Sequence, residues 1–287
     1  MKKPYNKSKR LKSTFVSIPL IIAFCMWQNN SIVVSNSDYS SANVPVEFDG
    51  FKIVQISDLH NKMFGKDQIR LLEKMESLSP DIIVVTGDLI DRRRFDLETA
   101  MCFIEGAVKI SPVYYVSGNH EAWFGKYSEI TNQLIDAGVR VMDDDSIELK
   151  KGSDVIQIIG SPNPDLFSSS SLDGSKTDEL DTQLKMLRRN DVFSILLAHH
   201  PEFFDIYHEN RMDLIFAGHA HGGQFRIPFI GGLFAPDQGL FPGYTSGCYV
   251  KGTSTMFVSR GLGNSIIPIR INNPPEIVEV TLKSVEG

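Results

Sequence analysis

Five short runs of β-branched or aromatic residues each break into side chains able to bind a cation. "FKIVQIS" (51–57) runs into Asp58 and His60, and "DIIVVTG" (81–87) into Asp88, with Asp91 and Arg92 just beyond. "PVYYVSG" (112–118) precedes Asn119 and His120, "FSILLAH" (193–199) ends at His199 beside His200, and "DLIFAGH" (213–219) ends at His219 with His221 following. Carboxylate, carboxamide and imidazole donors without thiolate suit Mn, Fe or Zn as divalent ions. Strand side chains alternate faces, so Asp58 with His60, and His219 with His221, project together if extended backbone persists. Each fragment alone has a plain alternative. Gly-Asn-His makes a turn, and His-x-His among glycines makes a surface loop or half of a mononuclear zinc site. Recurrence in order at five run ends argues for one shared metal centre. His208, in "PEFFDIYHEN", has no such context and reads as a surface residue.

The segments between these runs must bring the ends together. "DQIRLLEKMESL" (67–78), "DLETAMCFIEGAVK" (96–109), "KYSEITNQLIDAG" (126–138) and "DELDTQLKMLRR" (178–189) carry apolar residues at helical spacing. Further strand-like runs lie at 139–142, 146–150, 154–160, 247–251, 254–259 and 276–282. Strands alternating with helices imply a layered α/β domain, and so many strands imply two sheets. Ligands at the carboxyl ends of such strands occupy the usual site position of an α/β protein. The Ser-rich stretch 161–177 reads as a solvated connection, a flexible cover over the site being the sharper alternative.

Composition narrows the function classes. The formal net charge of the chain is −6, yet residues 1–12 hold six Lys or Arg and no acid, leaving the remainder at −12. An acidic body argues against nucleic-acid binding, which rests on neutralising phosphates. Cys25, Cys102 and Cys248 have no metal-like spacing, and neither a disulfide framework nor a thiolate site follows from them. The basic start feeds an uncharged apolar run from Phe15 to Trp27, short for a spanning helix and typical of a signal-peptide core. The expected organisation is a signal anchor or signal peptide at 1–27 and a single domain at 28–287. Positive-inside orientation puts that domain outside the cytoplasm, on the cell membrane if the anchor is retained and secreted if it is cleaved.

Asp-x-His, Gly-Asp, Gly-Asn-His, His and Gly-His-x-His, in this order over residues 51–222, resemble the calcineurin-like metallophosphoesterase superfamily. "SRGLGNSIIPIRINNPPEI" (259–277) further resembles its N-terminally anchored bacterial branch, which includes enzymes acting on UDP-2,3-diacylglucosamine. The resemblance implies an αββα two-sheet sandwich around two divalent metal ions. It implies one ion held by Asp58, His60, Asp88 and His221, and the other by Asp88, Asn119, His199 and His219. Adjacent strand residues face opposite ways, so one of His199 and His200 is the ligand, and the motif position selects His199. Bound metal can lower the pKa of water from about 15.7 to about 7, supplying a hydroxide for direct attack on phosphorus. His120 is implied as general acid, with Asp91 pairing to it and raising its pKa. Arg92 could grip the phosphate or be a solvated charge within "DRRR". Arg226 and Arg270 are further cations without an assigned place.

The expected function is therefore a metal-dependent phosphoesterase, phosphodiesters ahead of monoesters, acting on a small-molecule or lipid-linked substrate. The alternatives are a UDP-2,3-diacylglucosamine-type pyrophosphate hydrolase and a catalytically silent metal-binding scaffold. A scaffold would be expected to lack ligands, whereas every motif position is filled. A mononuclear zinc hydrolase using His-x-His alone leaves Asp58, Asp88 and Asn119 without a role.

Overall fold

The computed structural model describes residue 19 and residues 23–161, 163–166, 173–264 and 269–285, with backbone alone at 173–175. Two six-stranded sheets carry the site. The first is ordered β1 (Val33–Ser41), β16 (Glu276–Ser284), β2 (Lys52–Ile56), β3 (Ile82–Thr86), β4 (Val113–Val116) and β5 (Arg140–Val141). β2 to β5 run parallel, and β16 enters antiparallel to β2 and parallel to β1. The second is built from β6 (Ser146–Lys151), β7 (Asp154–Gly160), β8 (Phe193–Leu197), β9 (Leu214–Ala217), β14 (Gly247–Lys251) and β15 (Ser254–Val258), ordered β14-β15-β9-β8-β7-β6. Between β9 and β14 lie two small ladders, β10 (Arg226–Ile227) with β11 (Gly231–Gly232) and β12 (Phe234–Ala235) with β13 (Gly239–Leu240).

Period-two alternation divides the apolar side chains into three layers. Ile53, Val84, Tyr114 and Val280 of the first sheet meet Ile158, Ile195, Phe216 and Phe257 of the second in a central layer. The opposite face of the first sheet, with Val54, Val85 and Tyr115, is covered by helices. Leu71 of α2 (Ile69–Leu78), Phe103 of α3 (Leu97–Ile110) and Leu134 of α5 (Tyr127–Asp136) close that layer. Residues 23–30 are also helical (α1), and α4 (Asn119–Phe124) follows β4. Leu180 and Leu184 of α6 (Asp173–Leu187), with Phe204 and Tyr207 of α7 (Phe204–Glu209), cover the outer face of the second sheet. The αββα sandwich follows from sheets too apolar on both faces to leave either one wet.

Boundaries differ from the sequence reading where backbone chemistry intervenes. Asp67 and Gln68 take left-handed φ of 53° and 58°, so the regular helix starts only at Ile69. At α3 the Asp96 carboxylate caps the helix, accepting from Thr99 N at 3.1 Å. β1, polar at most positions and absent from the sequence reading, is held by a nine-residue parallel register with β16. The Ser-rich connection narrows, because residues from Asp173 onward are already helical; Pro162 and residues 167–172 lie outside the described residues. Most of the 1–27 anchor segment also lies outside them. No helix among the described residues is long and apolar enough to cross a membrane.

Candidate metal centre

All the ligand-bearing loops leave the same edge of the sandwich. Gln55 of β2 ties the two sheets there, its Nε2 donating to Thr86 Oγ1 at 2.9 Å and to Ala217 O at 2.8 Å. Beyond that edge the strands do not continue. Asp58, His60, Asp88, His219 and His221 all sit at left-handed φ, between 46° and 65°. The expectation that extended backbone pairs Asp58 with His60, and His219 with His221, is thereby corrected: tight turns, not alternation, aim these side chains. Left-handed backbone is unfavourable for residues other than glycine, and its concentration here is strain held by surrounding contacts.

Those contacts are specific. The Asp58 carboxylate accepts from Ser57 Oγ at 2.5 Å and from His219 N at 3.2 Å. Glu121, fully buried, accepts from Asp88 N at 2.9 Å, Gly118 N at 2.8 Å and Ile90 N at 3.1 Å. One carboxylate thus braces the loops after β3 and β4. Burial, and then the charge of Asp88, push it up to about 7 against the pull of those N–H groups. Gly218 and Gly118 stand where a Cβ would overlap Ser57 Oγ and Asp88 Oδ1, respectively. The glycines around the site make room for the protein's own polar atoms.

Two donor groups meet at Asp88. His120 N occupies Asp88 Oδ1 at 2.9 Å, leaving Oδ2 between His60 Nε2 at 3.4 Å and His199 Nε2 at 3.5 Å. On one side His60 Nε2 faces His221 Nε2 at 3.1 Å, and Asp58 Oδ1 lies 3.4 Å from His221 Nε2. On the other, Asn119 Oδ1 approaches His219 Nδ1 at 2.9 Å and His199 Nε2 at 3.0 Å, while the two imidazoles are 3.1 Å apart. Bonds of about 2.1 Å at angles of about 90–110° would set ligand atoms about 3.0–3.4 Å apart. The observed separations fit a cation on each side of Asp88. Buried imidazole nitrogens facing one another beside carboxylate and carboxamide oxygens form donor sets that a cation would satisfy.

The electrostatics follow the same division. Burial lifts the Asp58 carboxyl to about 6 and drops His60 to about 3. His199 goes the other way, to about 10: burial opposes it, but Asp88 outweighs burial. Asp88 is held well below the usual carboxylate range, its burial overcome by His199, His60 and His120. The His199 ring is oriented by Nδ1–H donating to Thr86 O at 2.7 Å. His200 does not reach Asp88; its Nδ1 meets Glu202 at 2.8 Å, and it clusters with Glu202, Asp237 and the far side of His219.

The remaining candidates separate. His120 is buried, and its Nδ1 accepts from Arg92 N at 3.2 Å, which leaves Nε2 to carry the proton. Asp91 is 3.8 Å from that Nδ1, beyond a hydrogen bond. Its oxygens are taken by Arg93 N at 2.9 Å and by the Arg94 guanidinium at 3.3 Å. The expected rise of the His120 pKa is corrected too: burial lowers it, and Asp88 with Asp91 only partly offset that. Arg92 lies over the Trp123 ring at 4.3 Å. The Arg270 guanidinium is buried and spent on the carbonyls of Arg260 and Gly263 and on Asn264 Oδ1. Arg226 binds Gly222 O and Thr245 Oγ1, in the hairpin region. His208 is half-buried and meets Ser254 Oγ at 3.2 Å, so it is not a free surface residue.

Three groups escaped the sequence reading. Asp237 accepts from His219 Nε2 at 2.8 Å, which presents Nδ1 to the centre. Lys62 and Arg94 join His60, Asp91 and Asn264 around a cavity of about 390 Å³. "DRRR" offered three arginines, and only the chain path selects the third. Asp237 had no spacing signal at all.

The sandwich and the carboxylate and imidazole clusters at its strand ends are those of a metallophosphoesterase. Residues 51–223 match the family model "Calcineurin-like phosphoesterase", and the chain belongs to that family. It is 31% identical over 251 residues to the uncharacterized metallophosphoesterase YkuE of Bacillus subtilis, covering 85% of this chain and 83% of that one. It is 26% identical over 242 residues to the phosphodiesterase YaeI of Escherichia coli, covering 81% and 82%. Among solved structures, it is similar to the phosphopantetheinyl hydrolase PptH of Mycobacterium tuberculosis at 14% identity and TM-score 0.49, covering 76% of this chain and 92% of that one.

Proposed function

We propose that the protein is a phosphodiesterase, working with two divalent ions held on either side of Asp88. The observation that carries this is Asp88 Oδ2, within 3.4 Å of His60 Nε2 and 3.5 Å of His199 Nε2, joining both donor groups through one atom. Asp58, His60 and His221 would complete one ligand set, and Asn119, His199 and His219 the other. Bound there, the ions would supply positive charge to acidify water and neutralise the phosphoryl oxygens. His120, with its proton on Nε2, donates toward the leaving oxygen as charge develops on it. Arg94 lines the cavity that an anionic substrate would enter, and Lys62 beside it, its pKa pushed down to about 7 by burial, gains its charge as an anion arrives. The similarity to YaeI favours diesters over monoesters. The substrate is a small-molecule or lipid-linked phosphoester.

We further propose that the catalytic domain, residues 28–287, lies outside the cytoplasm. Six basic residues ahead of the apolar run support a retained N-terminal anchor, and a secreted, processed form is the alternative. Metal stoichiometry and turnover of a chromogenic phosphodiester, on wild type and Asp88→Asn, test the centre. Two bound metals and turnover that collapses in Asp88→Asn are expected. Turnover indifferent to that change would refute the two-metal reading.

A further inference from the structure

The two hairpins after the Gly-His-x-His stretch expose apolar side chains, Phe229 and Ile230 at the turn of the first, Leu240 and Phe241 at the open end of the second, away from its Asp237 turn. Phe229 is fully exposed, Ile230 is 65% exposed, Leu240 69% and Phe241 63%. Ile230 and Phe241 line one cavity of about 270 Å³ with Arg226 at its wall, which joins the two segments into a single patch.

A strip of chain links this patch to the N-terminal helix. Arg226 N donates to Ile271 O at 3.0 Å, and Asn272 N donates to Gln28 Oε1 at 2.8 Å. Arg270 N and Asn264 Nδ2 both donate to Asn29 Oδ1, at 3.1 Å, and Lys62 Nζ donates to Asn29 O. Helix α1 therefore ends against the strip on one side and against Lys62 and Asn264, at the rim of the metal-centre cavity, on the other. Phe24, Met26 and Trp27 on α1 are exposed as well. Helix α1, which carries the end of the apolar N-terminal run, is thus joined by hydrogen bonds to the cavity rim and, through residues 270–272, to Arg226 at the base of the first hairpin.

We infer that the apolar patch of Phe229–Ile230 and Leu240–Phe241 enters the interfacial layer of a lipid bilayer beside the N-terminal run, so that the cavity opens at headgroup level onto a phosphoester carried by a lipid. This rests on the anchored phosphodiesterase reading and names the substrate class within it. A lone anchor leaves a domain free to swing; a second apolar contact fixes its tilt. Exposed aromatic and aliphatic side chains settle in a fluid interface without a shaped partner.

The test uses full-length protein reconstituted into vesicles of equimolar phosphatidylcholine and phosphatidylglycerol. Phe229→Trp and Phe241→Trp report depth through quenching by acyl-chain-brominated lipid, against Val250→Trp, a 70% exposed position on β14. Quenching above wild type is expected at 229 and 241 and not at 250. Equal quenching at all three positions would overturn the inference. A protein that fails to float with the vesicles would instead bring down the anchored reading itself. Shielding at 229 that follows protein density rather than bromination would name a second copy as the occupant, and would also overturn it. In Phe229→Ser/Phe241→Ser, hydrolysis of a vesicle-borne fluorogenic lipid phosphodiester should fall about tenfold, the scale of losing apolar anchoring surface. Hydrolysis of a soluble chromogenic diester should stay at the wild-type rate. Loss of both activities to the same extent would refute the lipid-substrate assignment.

Discussion

Asp88 answers to two constraints at once, because His120 N holds one oxygen while the other lies between the two donor groups. Asp88→Asn keeps the shape and removes the charge that both ions would share. Activity should fall by about 10³-fold or more, the scale of removing a key electrostatic group, and metal analysis should show lower occupancy. His120→Ala separates proton donation from metal binding. It should lower kcat by about 10²–10⁴-fold while leaving metal content near wild type, with the smallest loss on substrates whose leaving groups need no proton. Asp237→Asn weakens the orientation of His219 only. A roughly 10–100-fold loss of affinity at one of the two sites is expected, read as biphasic metal titration. Chelation should abolish turnover and added Mn²⁺ restore it.

The strand ends show what a sequence can and cannot disclose about elements. β2, β3, β4, β8 and β9 were legible because their apolar runs stop abruptly at polar ligands, and each observed strand lies within its expected run. The direction of the ligands was not legible, because it depends on left-handed turns that the buried Glu121 and the surrounding glycines hold in place. Glu121 stands in the quoted "GNHE", yet its role needs Asp88 N and Ile90 N, thirty residues upstream, to be folded against it. The family resemblance implied Asp91 as a partner for His120, whereas the arginine loop claims its oxygens. β1 went unseen because pairing with β16, rather than any apolar pattern of its own, makes it a strand. Gly118→Ala tests the packing of these turns. Its Cβ would overlap the Asp88 carboxylate, so a loss of about 1–3 kcal/mol is expected, with a lower melting temperature and reduced metal content.

At the scale of the molecule, three apolar layers hold the two sheets rigid while the chemistry is confined to one edge of them. An acidic body that must admit an anionic phosphoester needs local positive charge, and Arg94, with Lys62 when protonated, supplies part of it at the cavity beside Asp91 and Asp96. Lys62→Ala/Arg94→Ala should therefore raise KM more than it lowers kcat, with a steeper fall for multiply charged substrates in low salt. Protease added to intact cells, compared with lysed ones, reads the topology directly: digestion of the domain without lysis is expected for the outward orientation.

The order β1-β16-β2 has one more consequence. The last strand of the chain is inserted between the first two, so the sheet bearing Asp58 and Asp88 has a gap until residues 276–284 arrive. A chain emerging from the ribosome cannot close this sheet until residues 276–284 are free to pair, so insertion of that strand would be the step that completes the metal-bearing edge.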